Sequence, residues 1–235
     1  MRPKPMHPRS HCASRTAGIT LDHAAPIYDW LAPLMTLGSE ARLHRHVLPL
    51  LDLGRATSVL DIGCGTGTLT RQIFDALPDA DNRYVVGIDA AEAMIAVAQR
   101  KSGNRPGLAF NAALAEDLPY PARSFDRAVS TFFFHHLNAD LKKRSLAELW
   151  RVLRPGGSAV ILDVDIPCSR FGALCAYSGY WLFRQAEIKE NIDGVLRMAI
   201  QQSPFSASWR IVSRHSGYIS LFKLDKPQQQ KENRT

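Results

Sequence analysis

The stretch VLDIGCGTGTLT, residues 59–70, limits what this chain can fold into more than any other part of the sequence. Glycines occupy positions 63, 65 and 67, directly after an apolar run that is interrupted by one acid, Asp61. Glycine lets a loop reach torsions that other residues avoid, and it lets the backbone approach a ligand closely. A helix that begins straight after such a loop presents free N–H groups and the positive end of its dipole. The stretch therefore predicts a strand, a ligand-binding loop and a helix, in that order.

Segments with strand character alternate with segments of helical periodicity along the rest of the chain. Apolar, β-rich runs predict strands at 57–62, 83–89, 108–113, within 124–134, and at 158–166, 208–214 and 217–224. Apolar residues at helical spacing predict helices at 69–77, 90–103, 140–157 and 190–202. The last two strands are joined by only two residues, and so short a link requires antiparallel pairing. We therefore expect a doubly wound, Rossmann-like α/β fold: a mostly parallel seven-stranded sheet with a C-terminal antiparallel hairpin and helices on both faces.

The length of 235 residues suits one well-buried core, so we expect one α/β domain with tails and not two domains. The domain is predicted at 21–226, between a basic disordered tail at 1–20 and a polar tail at 227–235. Inside the domain, residues 21–54 predict an N-terminal helical cap, and residues 168–190 predict a lid on the substrate side. The proline-rich start lacks the apolar core of a secretory signal. No apolar run reaches the ~18 residues of a membrane span.

Most of the positive charge lies at the two ends of the sequence. Four cations and no acid precede Asp22, and three cations with one acid follow Asp225, so these ends carry +6 of the formal net charge of +7. Nucleic-acid binding normally needs a basic face on the fold itself, and we therefore expect no nucleic-acid partner. An anionic membrane surface is an alternative partner for basic tails.

The four cysteines, Cys12, Cys64, Cys168 and Cys175, have neither a CxxC spacing nor the spacing of zinc ligands with histidine. We therefore expect no metal site. Reduced thiols are typical of a cytoplasmic protein, and we expect this location, with a peripheral position at the inner membrane surface as the alternative.

Three ligands compete for the glycine loop. A phosphate-binding P-loop needs GxxxxGK[ST], which the chain lacks. A dinucleotide needs GxGxxG; positions 63 and 65 fit, but Thr68 stands at the third position, one residue after Gly67. S-adenosylmethionine offers a carboxylate for the helix terminus and a ribose for an acid. Asp89 ends the second predicted strand, 22 residues after Gly67, and is placed to be that acid.

Five motifs, spread over most of the chain, resemble those of the class I S-adenosylmethionine-dependent methyltransferases. They are VLDIGCGTG, GIDAAEAM, AEDLPYP, SFDRAVSTFFFHHL and LWRVLRPGGSAVILD. The resemblance runs from about residue 28 to residue 227, and it implies S-adenosylmethionine as the cofactor. The opening HAAPIYDWLAPL is similar to that of quinone-biosynthesis C-methyltransferases and of bacterial phospholipid N-methyltransferases.

The resemblance implies a role for each residue of the glycine loop. Gly63, Cys64, Gly65 and Gly67 would shape the pocket for the methionine part of the cofactor. Asp61 is similar to the acid that organises this loop and the cofactor's amino group. The simpler alternative is that Asp61 only caps the following helix.

The resemblance also implies which residues contact the adenosine part of the cofactor. Asp89 would bind the ribose hydroxyls, with Ala90 and Met94 against the adenine ring. Ala115 and Glu116 would border the adenine edge. The alternative for Asp89 is a helix N-cap that binds no ligand.

Two further residues are implied at the reacting end of the pocket. Thr131 would lie under the sulfonium at the exit of the fourth strand, and Tyr28, in the family's YD pair, would close the pocket from the N-terminal helix. The chain departs from the family at Leu114, where many relatives place an aspartate that accepts the adenine amino proton. Glu116, Asn111 or backbone groups would have to replace that acid.

The activity implied by the resemblance is methyl transfer by in-line displacement to a small, lipophilic, quinone- or lipid-like acceptor. If the acceptor needs a base, His136 is the first candidate and His135 the second; the alternative is a packed turn. A base-amine substrate is disfavoured, because residues 130–133 are STFF and not the [NDS]PP[YF] of the methyltransferases that act on DNA bases.

Residues 171–183, which include Tyr177, Tyr180 and Trp181, predict an apolar lid or an interfacial helix in contact with a membrane, or else a helix packed on the core. Two other function classes stay open. One is a catalytically silent protein that binds S-adenosylmethionine as a sensor or partner subunit. The other is an NAD-dependent oxidoreductase, which Thr68 disfavours.

Overall fold

The computed structural model describes residues 16, 18, 40–78 and 83–228 of the chain, and seven strands in them form one sheet. The strands are β1 (Ser58–Ile62), β2 (Tyr84–Asp89), β3 (Leu108–Ala112), β4 (Phe125–Thr131), β5 (Leu153–Val164), β6 (Trp209–His215) and β7 (Ile219–Asp225). Their order across the sheet is β3-β2-β1-β4-β5-β7-β6.

The pairing of the strands confirms the predicted doubly wound sheet. β1 pairs in parallel with β2 on one side and with β4 on the other, and β2 with β3 and β4 with β5 are parallel too. β7 runs antiparallel to both β5 and β6, as the predicted C-terminal hairpin requires. The strand order reverses between β1 and β4, so the carboxyl ends of these strands flank the crevice where such sheets bind ligands.

Seven α-helices are described in the same residues. They are α1 (Glu40–Val47), α2 (Thr68–Ala76), α3 (Glu92–Ser102), α4 (Ala139–Val152), α5 (Arg170–Phe183), α6 (Ala186–Ile192) and α7 (Val195–Gln201). Residues 21–39 of the expected N-terminal cap lie outside the described residues, and α1 is followed by two short 3₁₀ turns, Leu48–Leu51 and Leu53–Arg55. The segment 168–190, expected to form a lid, contains α5 and most of α6.

The core has two halves, one on each face of the sheet. Successive side chains of a strand point to opposite faces. In β1, Leu60 and Ile62 join the cluster that includes α4 and α7, whereas Val59 joins the cluster that includes α1 and α2. A strand buried on both faces must be apolar at nearly every position, which explains the unbroken apolar runs in the sequence.

The boundary between α4 and β5 differs from the expectation. The sequence predicts a helix within 140–157 that is ended by proline and two glycines, followed by a strand from residue 158. In the structure α4 ends at Val152, and β5 begins at Leu153. The reason is tertiary, because Leu153 pairs with Phe125 at the start of β4.

The expectation of one continuous helix at 190–202 is also wrong. The structure has two helices in this region, α6 and α7, and Gly194, which has a φ of 91°, separates them. This left-handed torsion ends a right-handed helix, and a Cβ atom at this position would press on the side chain of Ile166.

Within the residues that the structure describes, no helix has both the length and the apolar character to cross a bilayer. In the same residues, no group of three or more His, Cys, Asp or Glu side chains is placed to hold a metal ion.

Candidate active site

The loop after β1 turns sharply on its glycines. Gly63, Gly65 and Gly67 have φ values of 72°, 52° and 79°, which glycine adopts readily and other residues do not. A Cβ atom at Gly63 would also collide with the ring of Phe133. Position 63 therefore needs glycine for its torsion and for the close approach of this ring.

Asp89, at the end of β2, holds the glycine loop in place. Its Oδ2 accepts a hydrogen bond from the Gly65 amide at 3.0 Å, and its Oδ1 accepts one from the Ala91 amide at 2.9 Å. The Gly63 amide donates to the carbonyl of Ile88 at 2.9 Å. The carboxylate is half-buried, and a carboxylate oxygen can accept more than one hydrogen bond.

Asp61 lies buried beneath the same loop, and Cys64 is half-buried within it. Asp61 Oδ2 accepts a hydrogen bond of 2.6 Å from the Thr70 hydroxyl, which links β1 to α2. Burial raises the pKa of Asp61 to about 7; the Thr70 bond opposes this, and the charge of Asp89 adds to it. Burial, followed by the charges of Asp89 and Asp61, also raises the pKa of the Cys64 thiol well above its ordinary value. The thiol therefore stays neutral, as a small loop residue and not a nucleophile.

A cleft lies at the carboxyl ends of β1 and β2, and five of the predicted site residues line it. They are Gly63, Asp89, Ala90, Ala115 and Glu116. Apolar walls are formed by Ile62, Ile88, Ala113, Phe133 and Leu137. The cleft thus combines two carboxyl groups with a largely apolar lining.

Residues from the start of the chain reach this cleft. The Thr16 hydroxyl donates a hydrogen bond to Glu116 Oε1 at 2.7 Å, and the Gly18 amide donates to the same hydroxyl at 3.0 Å. Thr16 and Gly18 both line the cleft. The buried Glu116 side chain therefore already has one donor from the chain itself.

The remaining predicted residues do not line this cleft among the described part of the chain. Met94 is buried against Ala91 and Ala93. Thr131 is half-buried at the last position of β4, opposite Leu162 of β5. Tyr28 lies outside the described residues.

The two histidines lie on a tight turn that a buried acid holds. Phe132 has a φ of 51°, a rare torsion for a side chain of this size, and a 3₁₀ turn follows it. The amides of Phe133 and Phe134 donate to Asp163 Oδ2 at 3.0 and 2.7 Å. His135 Nδ1 lies 2.7 Å from Asp163 Oδ1, so one carboxylate fixes both the turn and the imidazole ring.

The two histidines differ in their electrostatic surroundings. Burial acts to raise the pKa of Asp163, but the charge and hydrogen bond of His135 and the Val164 amide outweigh it, and the pKa lies below its ordinary value. Burial and then the charge of His135 lower the pKa of His136 to about 3, while Asp163 acts in the opposite direction. At neutral pH His136 is therefore a neutral and weak base. Its Nδ1 is buried and has no hydrogen-bond partner among the described residues.

Residues 59–157 match a family described as a methyltransferase domain. A demethylmenaquinone methyltransferase from Symbiobacterium thermophilum is 33% identical over 153 residues, which are 64% of this chain and 59% of that protein. A second, from Thermus thermophilus, is 39% identical over 145 residues, 61% and 63% of the two chains. The chain thus spans about three fifths of the length of these curated relatives.

Solved structures agree on the fold. A SAM-dependent methyltransferase from Aquifex aeolicus superimposes with a TM-score of 0.56 at 19% identity, over 83% of this chain and 97% of that one. Residues 59–157 thus form a methyltransferase domain, on a fold that the chain shares with S-adenosylmethionine-dependent methyltransferases. This match, and the likeness to quinone-biosynthesis methyltransferases, support the family predicted from the motifs. The cofactor of the family is S-adenosylmethionine.

The lining of the cleft suits S-adenosylmethionine. The half-buried Asp89 carboxylate lines the cleft, and a carboxylate is a good acceptor for sugar hydroxyls. Apolar walls such as Ile88 and Ala113 suit the faces of an adenine ring. The bare backbone at Gly63 places no side chain between the loop and the cleft.

The departure from the family at Leu114 is resolved in part by the geometry. Of the two side chains that were candidates to replace the missing acid, Glu116 lines the cleft. Asn111 does not line it, and its Nδ2 donates instead to the Tyr120 hydroxyl at 2.9 Å. Glu116 is therefore the better placed of the two to meet an adenine edge.

The sequence analysis missed two features of this site. Asp163 had a visible signal, since it is an acid inside the apolar run SAVILDVDI. Thr16 had none, because it stands in a segment whose composition predicts a disordered tail.

Proposed function

We propose that this chain is an enzyme that transfers the methyl group of S-adenosylmethionine to a small, lipophilic acceptor. The observation that carries the proposal is the Asp89 carboxylate, which the Gly65 and Ala91 amides fix at a cleft beside a bare glycine loop. The names of the relatives support a quinone-like acceptor, since both are demethylmenaquinone methyltransferases.

The chain's own contribution is mainly to align the reactants and keep water out. When bound, the cofactor supplies a methyl group on a sulfonium, which is already activated for in-line displacement. Asp89 would hold the ribose and residues 63–67 would lie along the methionine part, while Asp61, buried against Thr70, would support the loop from below. Phe133, just after β4, would bound the reacting end of the cleft.

A quinol-type acceptor needs a base, because loss of its hydroxyl proton makes the neighbouring ring carbon more nucleophilic. We assign this role to His135. Its Nδ1 is held by Asp163, which fixes the orientation of the ring, and its Nε2 makes no hydrogen bond among the described residues. Nε2 would take the hydroxyl proton, and the ring carbon made nucleophilic in this way would accept the methyl group that the bound cofactor supplies. The ring carbon would then release its own proton to water, which restores aromaticity, and the quinol oxygen would take back the proton held on Nε2.

His136 is the less suitable base, although it was the first candidate in the sequence. A group whose pKa lies near 3 holds a proton too weakly to remove one from a hydroxyl at neutral pH. We assign it instead to the packing of the turn, with its ring 4.1 Å from that of His135.

The place of reaction is also part of the proposal. Cys64, Cys168 and Cys175 are all free, which suits a reducing compartment, and we propose the cytoplasm. A lipophilic acceptor that is dissolved in a bilayer must be met at the bilayer surface, so the enzyme would work at the inner face of that membrane.

The cofactor part of the proposal is tested by Asp89→Ala, with calorimetric titration of S-adenosylmethionine and of its demethylated product. A hydrogen bond to a charged acceptor is worth about 2 kcal/mol, so affinity should fall by about 30-fold or more. The matched control is Asp193→Ala, which removes an exposed acid that pairs with Lys189. If the Asp89→Ala variant binds S-adenosylmethionine as tightly as the wild type, Asp89 does not contribute to the cofactor site.

The base is tested by comparing His135→Asn with His136→Asn in an assay with a short-chain demethylated quinol. Asparagine keeps a donor for Asp163 and removes Nε2, so kcat of His135→Asn should fall by about 100-fold at unchanged cofactor affinity. The kcat of His136→Asn should stay within a few-fold of the wild type. The reverse order of the two variants would reassign the base. Tight cofactor binding with no turnover of any acceptor would favour a catalytically silent binding protein.

A further inference from the structure

Helix α5 carries an exposed apolar surface. Phe171, Leu174, Trp181 and Leu182, named here the α5 stripe, have exposed fractions of 66%, 64%, 65% and 75%. At about 100° per residue the four side chains fall within an arc of roughly 100° on the helix. Large apolar side chains gathered on one surface, and not scattered singly, mark an interaction site.

The orientation of α5 is fixed by its other side. Ala176 is buried in a cluster with Val164, Ile188 and Ile192. Near the start of the helix, the backbone of Gly172 lies so close to Gly217 that a Cβ atom would collide with it. The helix is therefore packed on the fold by one face, and the α5 stripe is the face left outside.

Cations stand at both ends of the α5 stripe. Arg170 begins the helix and Arg184 caps its end, and both are exposed. Neither forms an ion pair within the part of the chain that the structure describes. No acid occurs between them in the sequence. An apolar face with tryptophan near one end, flanked by arginines whose stems can lie along acyl chains, suits the interface of an anionic bilayer.

We propose that α5 is the element by which this protein docks on an anionic lipid surface, with the α5 stripe inserted at the level of the acyl-chain boundary. The helix begins six residues after Val164, the last residue of β5, on the edge of the sheet where Asp163 holds His135. A lipophilic acceptor would then enter the site from the bilayer without crossing water. Docking itself is independent of the proposed function, and only this last step rests on it.

A second copy of the chain fits the α5 stripe less well than a bilayer does. In a two-fold pair of α5 helices packed antiparallel, Arg170 of each copy would face Arg184 of the other. Like charges would meet at both ends of the contact, which opposes association. Anionic headgroups would instead attract Arg170 and Arg184, and they would also attract the four cations that precede Asp22.

The test uses the full-length protein in sedimentation with two kinds of vesicle, pure phosphatidylcholine and an equal mixture of phosphatidylcholine with phosphatidylglycerol. The wild type should pellet with the mixed vesicles and much less with the neutral ones. The variant Phe171→Ser/Leu174→Ser/Trp181→Ser/Leu182→Ser should lose more than ~10-fold of its partition to the mixed vesicles. The matched control Met198→Ser/Val212→Ser removes two exposed apolar side chains elsewhere, 51% and 40% exposed, and should bind as the wild type.

A second variant examines the charges alone. Arg170→Gln/Arg184→Gln keeps the α5 stripe and should lose the preference for anionic vesicles. The inference is overturned if the wild type stays in the supernatant with both vesicles, or if the serine variant pellets as well as its control. It is also overturned if the α5 stripe mediates a dimer in solution and no vesicle binding is found. Cofactor affinity, measured on the same samples, reports on the proposed function separately from docking.

Discussion

Asp61 lies almost fully buried beneath the glycine loop, with the Thr70 hydroxyl as a donor to its carboxyl group. Burial raises its folded-state pKa to about 7, from an ordinary value of 3.8. A carboxyl whose pKa is higher in the folded than in the unfolded chain contributes stability while it is protonated. That contribution is complete below about pH 4, and it is lost as the pH rises through about 7.

We therefore expect Asp61→Asn to be more stable than the wild type at about pH 8, because an amide keeps an acceptor for Thr70 and never ionises. The gain has an upper bound of about 4 kcal/mol, from three pKa units at 1.36 kcal/mol each, and it should shrink toward about pH 5. Urea unfolding at several pH values measures it. Asp193→Asn, at an exposed acid, should show no such trend. A gain for Asp61→Asn that is independent of pH would show that Asp61 does not ionise in this range.

The sequence indicates single functional residues better than it indicates their partners. Asp61 can be identified because it lies in an apolar strand directly before the glycine loop, and Asp89 because it ends the next predicted strand. The pair of Asp163 and His135 cannot, because 28 residues separate them and only the parallel pairing of β4 with β5 brings them together. Choosing between His135 and His136 therefore needs the structure.

Among the helices, α4 connects the histidine turn to the sheet. Its N-cap is Asn138, whose side chain accepts a hydrogen bond from the Leu141 amide at 3.0 Å. This cap directly follows the turn that carries His135, so it fixes the point at which the chain leaves the site. Loss of an N-cap acceptor typically costs about 1 kcal/mol.

We expect Asn138→Ala to lower the free energy of unfolding by about 1 kcal/mol, or the Tm by ~2–4 °C for a chain of this size. Thermal unfolding followed by circular dichroism measures this change. Asn104→Ala, at an exposed position in the loop after α3, is the control and should leave the Tm unaltered. If both substitutions lower the Tm equally, the cap has no special role.

Element types are predictable here, and element boundaries are less so. Leu146, Leu149 and Leu153 share a helical spacing, so the sequence alone extends α4 past its true end. Leu153 belongs to β5 because of its pairing with Phe125, a contact that periodicity does not encode. The break at Gly194 had a local signal in the glycine itself, yet the apolar spacing on both sides of it favours one helix.

At the scale of the whole molecule, β7 joins the parallel sheet to its antiparallel edge. The sequence predicts the hairpin of β6 and β7 but not its orientation, since the nearer strand in sequence, β6, would be expected beside β5. The structure places β7 there, paired with β5 from Ser158 to Val164. Burial explains the choice: Leu221 and Leu224 of β7 are 1% and 0% exposed, whereas alternate residues of β6 are exposed.

The position of β7 makes the end of the chain decisive for folding. Phe222 and Leu224 pack into the core half that includes α4, and Ile219 and Leu221 pack into the half that includes α1 and α2. A chain that ends after Gly217 loses apolar packing on both faces and exposes the edge of β5 that pairs with β7 over seven residues. We expect this truncation to be insoluble or to lack a cooperative unfolding transition in calorimetry.

A chain that ends after Gln228 is the control for this truncation. It loses only seven polar residues, 229–235, and should keep the Tm of the full-length protein. If the shorter chain still unfolds cooperatively, the parallel strands form a stable unit by themselves, and β7 serves only to cover their edge.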